Sequence, residues 1–283
     1  MNGTTYSRSG RSISRWSAIV ALLVIFGTPF LWMTASAFKS RADIFADTTP
    51  LSWRTFVPTS PTLENFTTLF VEQGFGRALL NSLGLAIAAV LLTLPINSAA
   101  AYVLAWIDFP GRKVALIAVI GTMFIVFEAK VVPLFLIMQD LNLQDSYFSI
   151  IAPWVTDAFL IFLFYQHFRA LPKDLMDAAR IDGASYFRVY WSIMLPNLGP
   201  ALVSAALIKF IFTWDSYLWP LLSVTDTDKT VVSVAIAKLF ADEEVLWELV
   251  FAASFVSTIP MIVLFLVLQR YYVEGIAQSG VKG

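Results

Sequence analysis

The sequence predicts an all-α bundle of six membrane-spanning helices. Of 283 residues, 58% are hydrophobic and only 14% charged, with a mean hydropathy of +0.73. A soluble domain carries about 25% charged residues. The apolar residues are also gathered into runs long enough to cross a bilayer, which takes about 20 residues. What the chain lacks narrows its chemistry. A net charge of −1 offers no basic footprint for nucleic acid. Zero cysteines exclude disulfides and thiolate metal sites, and the single His167 excludes a multi-histidine metal centre.

The first run spans residues 16–38, uncharged between Arg15 and Lys39. Arg8, Arg11 and Arg15 before it, with Ala-Ser-Ala at 35–37 after it, imitate a secretory signal. The run is longer than the 7–15-residue apolar region of such signals, so an uncleaved helix is expected. The second run is 78–107. The third, 114–138, is interrupted by Glu128 and Lys130, and the fourth, 146–168, by Asp157. The fifth, 198–222, holds Lys209 and Asp215, and the sixth is 249–269. Residues 1–283 thus read as one transmembrane domain.

Lys and Arg counts in the connectors set the orientation. With the N-terminus inside, the inner segments hold eleven: Arg8, Arg11, Arg15, Arg112, Lys113, Arg169, Lys173, Arg180, Arg188, Arg270 and Lys282. The outer segments hold six: Lys39, Arg41, Arg54, Arg77, Lys229 and Lys238. Both termini are therefore expected in the cytoplasm. Two outer connectors are long. Residues 39–76 contain Pro50, Pro58 and Pro61. Residues 223–247 open on a polar turn and continue with apolar residues at helical spacing. The second fits a short helix at the outer face, as a shield for the bundle or as a contact for a partner.

The inner connector 169–197 is too long for a simple turn. Pro172 suits a helix start. Asp174 and Asp177 favour the positive end of that helix, and Arg180 the negative end. Lys173 and Asp177 are spaced to pair across one turn. Gly183 stands where a left-handed helix terminus wants glycine. Ser185 can cap a second helix, ended by Pro196. Ala178 and Ala179 leave room for another surface to approach. Phe187 with Trp191, and Tyr186 with Tyr190, make a broad aromatic face. That face can rest on the bilayer or fill a partner's groove.

The connector resembles the EAA loop of ABC importer permeases, whose pattern is E-A-A, three residues, G, nine residues, I, one or two residues, L-P. Here Asp177, Ala178, Ala179, Gly183, Ile193, Leu195 and Pro196 stand at those positions. LPKDLMDAARIDGAS is similar to the carbohydrate-importer (maltose-type) version. So are NSLGLAIAAVLLTLPINSAAAYVLA, PLFLIMQDLNLQDSYFSIIAP and WDSYLWPLL, and the resemblance covers about residues 15–275. The departure is Asp177 in place of glutamate, which keeps the charge but shortens its reach by one methylene.

The resemblance implies a bacterial or archaeal cytoplasmic-membrane subunit. Its loop would be a coupling helix docked on a separate ATPase, with Asp177, Ala178, Ala179, Gly183, Ile193, Leu195 and Pro196 carrying the contact. It implies a second homologous permease, two ATPase subunits, an extracytoplasmic substrate-binding protein and surrounding lipid as partners. ATP and Mg would be used by the ATPase, with no cofactor on this chain. No G-x-x-x-x-G-K-[ST] phosphate loop occurs in the sequence.

A charge at mid-bilayer costs roughly 2.5–3.5 kcal/mol, so such residues face the bundle interior or a watery path. Glu128, Lys130, Asp157, Lys209 and Asp215 are candidates for a substrate path, or for charge pairs between helices, such as Lys209 with Asp157. Glu128 and Lys130 cannot share one helical face and are expected to pair with other helices. Trp214, Asp215, Tyr217 and Trp219 could stack on and hydrogen-bond a sugar, or form an interfacial belt. Asn81 and Asn97 are weaker candidates. The alternative function is an ion-coupled secondary transporter with Asp157, Glu128 and Asp215 as relays, but no internal repeat supports it. An intramembrane enzyme lacks a paired catalytic set.

Overall fold

The computed structural model describes residues 8–48, 50–241 and 244–279, with side chains from Arg15 to Gln269 within those stretches. Arg8, Arg11, Arg270 and Lys282, counted for orientation, lie outside the described side chains. In chain order the helices are α1 (Arg8–Ala37), α2 (Arg41–Ala46), α3 (Glu64–Thr67), α4 (Phe75–Trp106), α5 (Arg112–Thr122), α6 (Phe127–Asp140) and α7 (Tyr147–Ile151). They continue with α8 (Ala158–Ala170), α9 (Lys173–Ile181), α10 (Tyr186–Val189), α11 (Gly199–Trp214), α12 (Leu218–Ser223), α13 (Val232–Ala241) and α14 (Trp247–Ser279). No strand occurs among the described residues.

Four stretches are long enough and apolar enough to cross a membrane: Arg15–Ala37, Phe75–Trp106, Tyr186–Trp214 and Trp247–Gln269. Counting each bent helix pair as one span gives six. The third run is such a pair: α5 and α6 meet at 101° across residues 123–126. The Thr122 hydroxyl donates to the Val119 carbonyl at 2.7 Å, a local bond that competes with the helical ladder. The fourth run is also broken, α7 with its following turn meeting α8 at 45°. The fifth differs most from its sequence boundaries of 198–222. Its helix ends at Trp214, and after 215–217 the chain resumes as the short α12.

Apolar side chains cover much of the outer surface. Leu23 and Phe26 of α1 are both 67% exposed, the arrangement a bilayer selects and water penalises.

The chain divides into two compact units, Met1–Phe75 with Ile236–Ile259, and Gly76–Ala235 with Pro260–Gly283. The first is organised around Lys39, which is buried. Its ammonium donates to Asp47 at 2.9 Å and to the carbonyls of Arg54 at 2.5 Å and Thr55 at 3.4 Å. Asn65 closes the same connector by donating to the carbonyls of Ala37 and Lys39. Phe38, Phe66 and Phe255 cluster beside it, with centroids 5.0 to 6.2 Å apart. The connector 39–76 is therefore a folded structure pinned by one cation.

In the second unit the largest core joins α4, α8 and α11 to the connector 169–197. It holds Tyr102, Leu160, Phe164, Phe168, Met176, Ala179, Val189, Tyr190 and Met194, all buried. Asn97, fully buried, donates to the carbonyls of Thr93 (2.6 Å) and Val155 (2.8 Å) and accepts from the Asp157 N–H at 2.8 Å. Those bonds tether the break in the fourth span to α4 and satisfy backbone groups that lipid could not.

Candidate functional site

Two regions of the second unit collect the residues that sequence reasoning singled out. The first is the connector 169–197. Asp174 lies in the first turn of α9 and Arg180 in its last. The helix stops at Gly183, with φ +75°, as the Ala184 N–H reaches back to the Ala179 carbonyl at 3.0 Å. The Ser185 side chain then accepts from the Arg188 N–H and starts α10. A wide π-type turn over 190–194 follows, closed by the Leu195 N–H on the Tyr190 carbonyl at 2.9 Å.

The connector has a distinct outside and inside. Asp177, Ala178, Gly183 and Pro196 are exposed, whereas Ala179 is buried in the core and Ile193 and Leu195 pack partly against it. Of the two alanines, only Ala178 is open to an approaching surface. The aromatic residues also divide. Phe187 is 73% exposed and meets Trp191 at 6.2 Å, while Tyr190 turns inward. The Tyr190 hydroxyl lies 2.8 Å from that of Ser98 and donates to the Pro95 carbonyl at 3.3 Å. Lys173 and Asp177 do not pair: neither enters an ion pair among the described residues. Arg180 lies over the Tyr186 ring instead, 4.3 Å from its centroid.

The second region is a cleft of about 570 Å³ where the broken spans meet. Glu128, Asp215, Tyr217 and Trp219 line it, together with Phe127, Trp154 and Phe212. The Phe127 and Trp154 rings lie 4.3 Å apart, and Phe212 meets Trp154 edge-on at 4.9 Å. Sequence reasoning missed these three rings. Trp154 could have been found from its place just before the charged interruption of an apolar run.

Each carboxylate marks a helix end. Glu128 lies in the first turn of α6, Asp157 caps α8, and Asp215 is the C-cap of α11. The Asp157 carboxylate accepts from the N–H groups of Phe159 (3.0 Å) and Leu160 (3.4 Å) and from Lys209, whose ammonium is 3.5 Å away. Lys209 is only 1% exposed and lies 5.7 Å from the Trp154 ring centroid. The pairing of Lys209 with Asp157 considered from sequence therefore forms. Glu128 and Lys130 are exposed and enter no ion pair among the described residues, against the expectation that each pairs with another helix. At the start of α6, Glu128 has the helix's own positive end for compensation.

The remaining candidates have structural neighbours. Trp214 is 4% exposed and stacks on Phe210, away from the cleft lining. The Trp219 indole donates to the Ser149 carbonyl at 2.8 Å. Asn81 donates to the carbonyls of Asp228 and Thr230 and accepts from the Tyr147 hydroxyl, joining connectors rather than facing the cleft.

Comparison with known proteins agrees with this architecture. Residues 78–278 match the family described as binding-protein-dependent transport system inner membrane component. The chain is 33% identical over 271 residues to the arabinooligosaccharides transport system permease protein AraQ of Halalkalibacterium halodurans, covering 94% of each. It is 32% identical to the diacetylchitobiose uptake system permease protein NgcG of Streptomyces coelicolor, covering 93% of this chain and 85% of that protein. It is 34% identical to the sn-glycerol-3-phosphate transport system permease protein UgpE of Shigella flexneri, covering 80% and 83%. A crystal structure of a bacterial ABC transporter involved in alginate import shares the fold. Its TM-score is 0.83 at 24% identity, covering 95% of this chain and 100% of that one. The chain belongs to the family of binding-protein-dependent transport system inner membrane components and is the membrane-spanning translocation subunit of an importer.

Proposed function

We propose that this chain forms half of the translocation path of an ATP-driven importer for a carbohydrate or a related polyol or sugar phosphate. The cleft at the broken spans carries the reading. Flat rings at Phe127, Trp154 and Phe212 offer faces to a pyranose, and the Glu128 and Asp215 carboxylates can accept its hydroxyls. The relatives add weight: their names specify arabinooligosaccharides, diacetylchitobiose and sn-glycerol-3-phosphate. Lys130 is not among the residues that line the cleft, and Asp157 holds Lys209 rather than touching the sugar.

In this reading the inner connector faces the cytoplasm, as do both termini of this inner-membrane protein. Asp177, Ala178 and the aromatic pair Phe187 and Trp191 form its contact with a separate ATPase. Gly183 sets the turn, and Ile193, Leu195 and Pro196 hand motion to α11. Two ATPase subunits using ATP and Mg, a second homologous permease and an extracytoplasmic binding protein complete the assembly. The chain itself needs no cofactor.

The test is uptake into proteoliposomes containing the complex co-purified with this chain. Labelled oligosaccharide should accumulate only with ATP on the ATPase side and binding protein on the other. A purified chain that transports alone, without an ATPase, overturns the proposal.

A further inference from the structure

A pocket of about 390 Å³ lies where the inner ends of α4 and α8 meet α5 and α9. Four cations line it: Arg112, Arg169, Lys173 and Arg180. Two carboxylates, Asp108 and Asp177, share the lining, so positive charge is in excess. Asp177 is shared with the proposed ATPase contact, but transport and coupling leave the four cations without a role.

The cations are not equally available. Arg112 is fully engaged. Its Nε donates to the Leu104 carbonyl at 2.7 Å, one Nη to Asp108 at 2.6 Å and the other to the Ala105 carbonyl at 2.8 Å. That set pins one wall and neutralises one carboxylate. Arg180 rests on Tyr186, which fixes its guanidinium. Arg169 and Lys173 enter no ion pair among the described residues, although both line the same cavity. In the pocket wall, Trp106 has a buried indole N–H with no acceptor.

We infer that this pocket binds a phosphate group, supplied by the headgroup of an anionic phospholipid. Two unpaired cations beside a fixed guanidinium suit a phosphate, which accepts several charge-assisted hydrogen bonds at once. The position favours a lipid source. The pocket opens at Trp106, the last residue of a long apolar helix, and at Arg169, in the last turn of another. That is headgroup depth, and basic pockets between helices at the cytoplasmic face are where anionic lipids bind. The choice of leaflet rests on the orientation proposed above; the binding itself does not. A lipid held there would brace α9 against α4 and α8.

Native mass spectrometry of the full chain in detergent, with added cardiolipin or phosphatidylcholine, tests this without any transport measurement. Wild type should retain cardiolipin about tenfold better than phosphatidylcholine, and Arg169→Gln with Lys173→Gln should abolish that preference. Lys113→Gln with Arg188→Gln removes the same charge from the same side outside the pocket and should keep it. If inorganic phosphate at millimolar concentration displaces cardiolipin from wild type and from that control alike, the site is shown to read phosphate. Bound phosphate without any lipid preference assigns the same pocket to a free phosphate source. Equal retention by wild type and the pocket variant overturns the inference, as does equal loss in the control. Failed uptake with intact lipid binding would count against the transport reading alone.

Discussion

The Lys209 ammonium and the Asp157 carboxylate lie 3.5 Å apart, with the lysine 1% exposed and the aspartate also capping α8. One carboxylate thus compensates a buried cation and the orphan N–H groups of a helix that starts inside a span. The two partners should not respond alike to substitution. Asp157→Ala leaves the ammonium buried and unpaired and removes the cap, with an expected loss of about 3–5 kcal/mol. Lys209→Met keeps the stem volume and removes the charge, and should change stability by under about 1 kcal/mol. Thermal unfolding in detergent compares them, and equal losses would mean that the pair does not set the local fold.

Gly183 has φ +75° and open space where a Cβ would stand. The penalty for substitution is therefore backbone strain alone. Gly183→Asn should lose little and Gly183→Val about 1–3 kcal/mol locally. In the proposed complex the valine variant should hydrolyse ATP with reduced uptake. Unchanged uptake per ATP in proteoliposomes would remove the turn from the coupling route.

In the cleft, Trp154→Ala and Phe212→Ala should weaken uptake about tenfold or more if the rings hold a sugar. Each removes a stacking face as well as apolar area. Trp219→Phe should instead destabilise the fold by about 1 kcal/mol, since the Ser149 carbonyl loses its donor. Uptake kinetics alongside unfolding separate the two classes.

Two connectors in the second unit are clasped by Asp145, which takes the Thr225 hydroxyl at 2.7 Å and the N–H groups of Thr225 and Asp226 at 2.5 and 3.0 Å. The Thr225 hydroxyl and then those N–H groups hold the Asp145 carboxyl below its usual range. Bonding to Lys229 lowers Asp226 and raises Lys229 in turn. A lowered carboxylate contributes stability above its unfolded value of about 3.9 that fades as pH falls through the folded value. A raised lysine contributes below about 10.4 and fades as pH rises through its folded value. Hydrogen exchange over residues 224–230 should therefore be insensitive to pH between these limits once corrected for intrinsic rates. It should accelerate in acid below about pH 4, and Asp145→Asn should shrink the acid step to the part that Asp226 carries.

The sequence disclosed the spans well because apolar length is a one-dimensional property. It disclosed the connector 169–197 because Gly183, Ser185 and Asp174 each act on their own neighbours. The cleft was only half legible. Glu128, Asp157 and Asp215 looked like charges lodged within helices, yet each stands at a helix end. The 101° bend after Thr122 has no proline at the break, and the Thr122 hydroxyl bond beside it leaves no mark in the apolar pattern. Trp214 and Trp219 looked equivalent to Tyr217, but tertiary packing buries both. Which ring faces a cavity depends on helix rotation, which spacing alone does not determine.

The connector 169–197 shares its core with the spans: Met176, Ala179, Val189, Tyr190 and Met194 sit among residues of α4, α8 and α11. A load applied at Asp177 or Phe187 therefore meets no compliant spring. It arrives at three membrane helices together, through close-packed side chains that compress very little. In the proposed complex the connector would act as a stiff handle on all three helices at once.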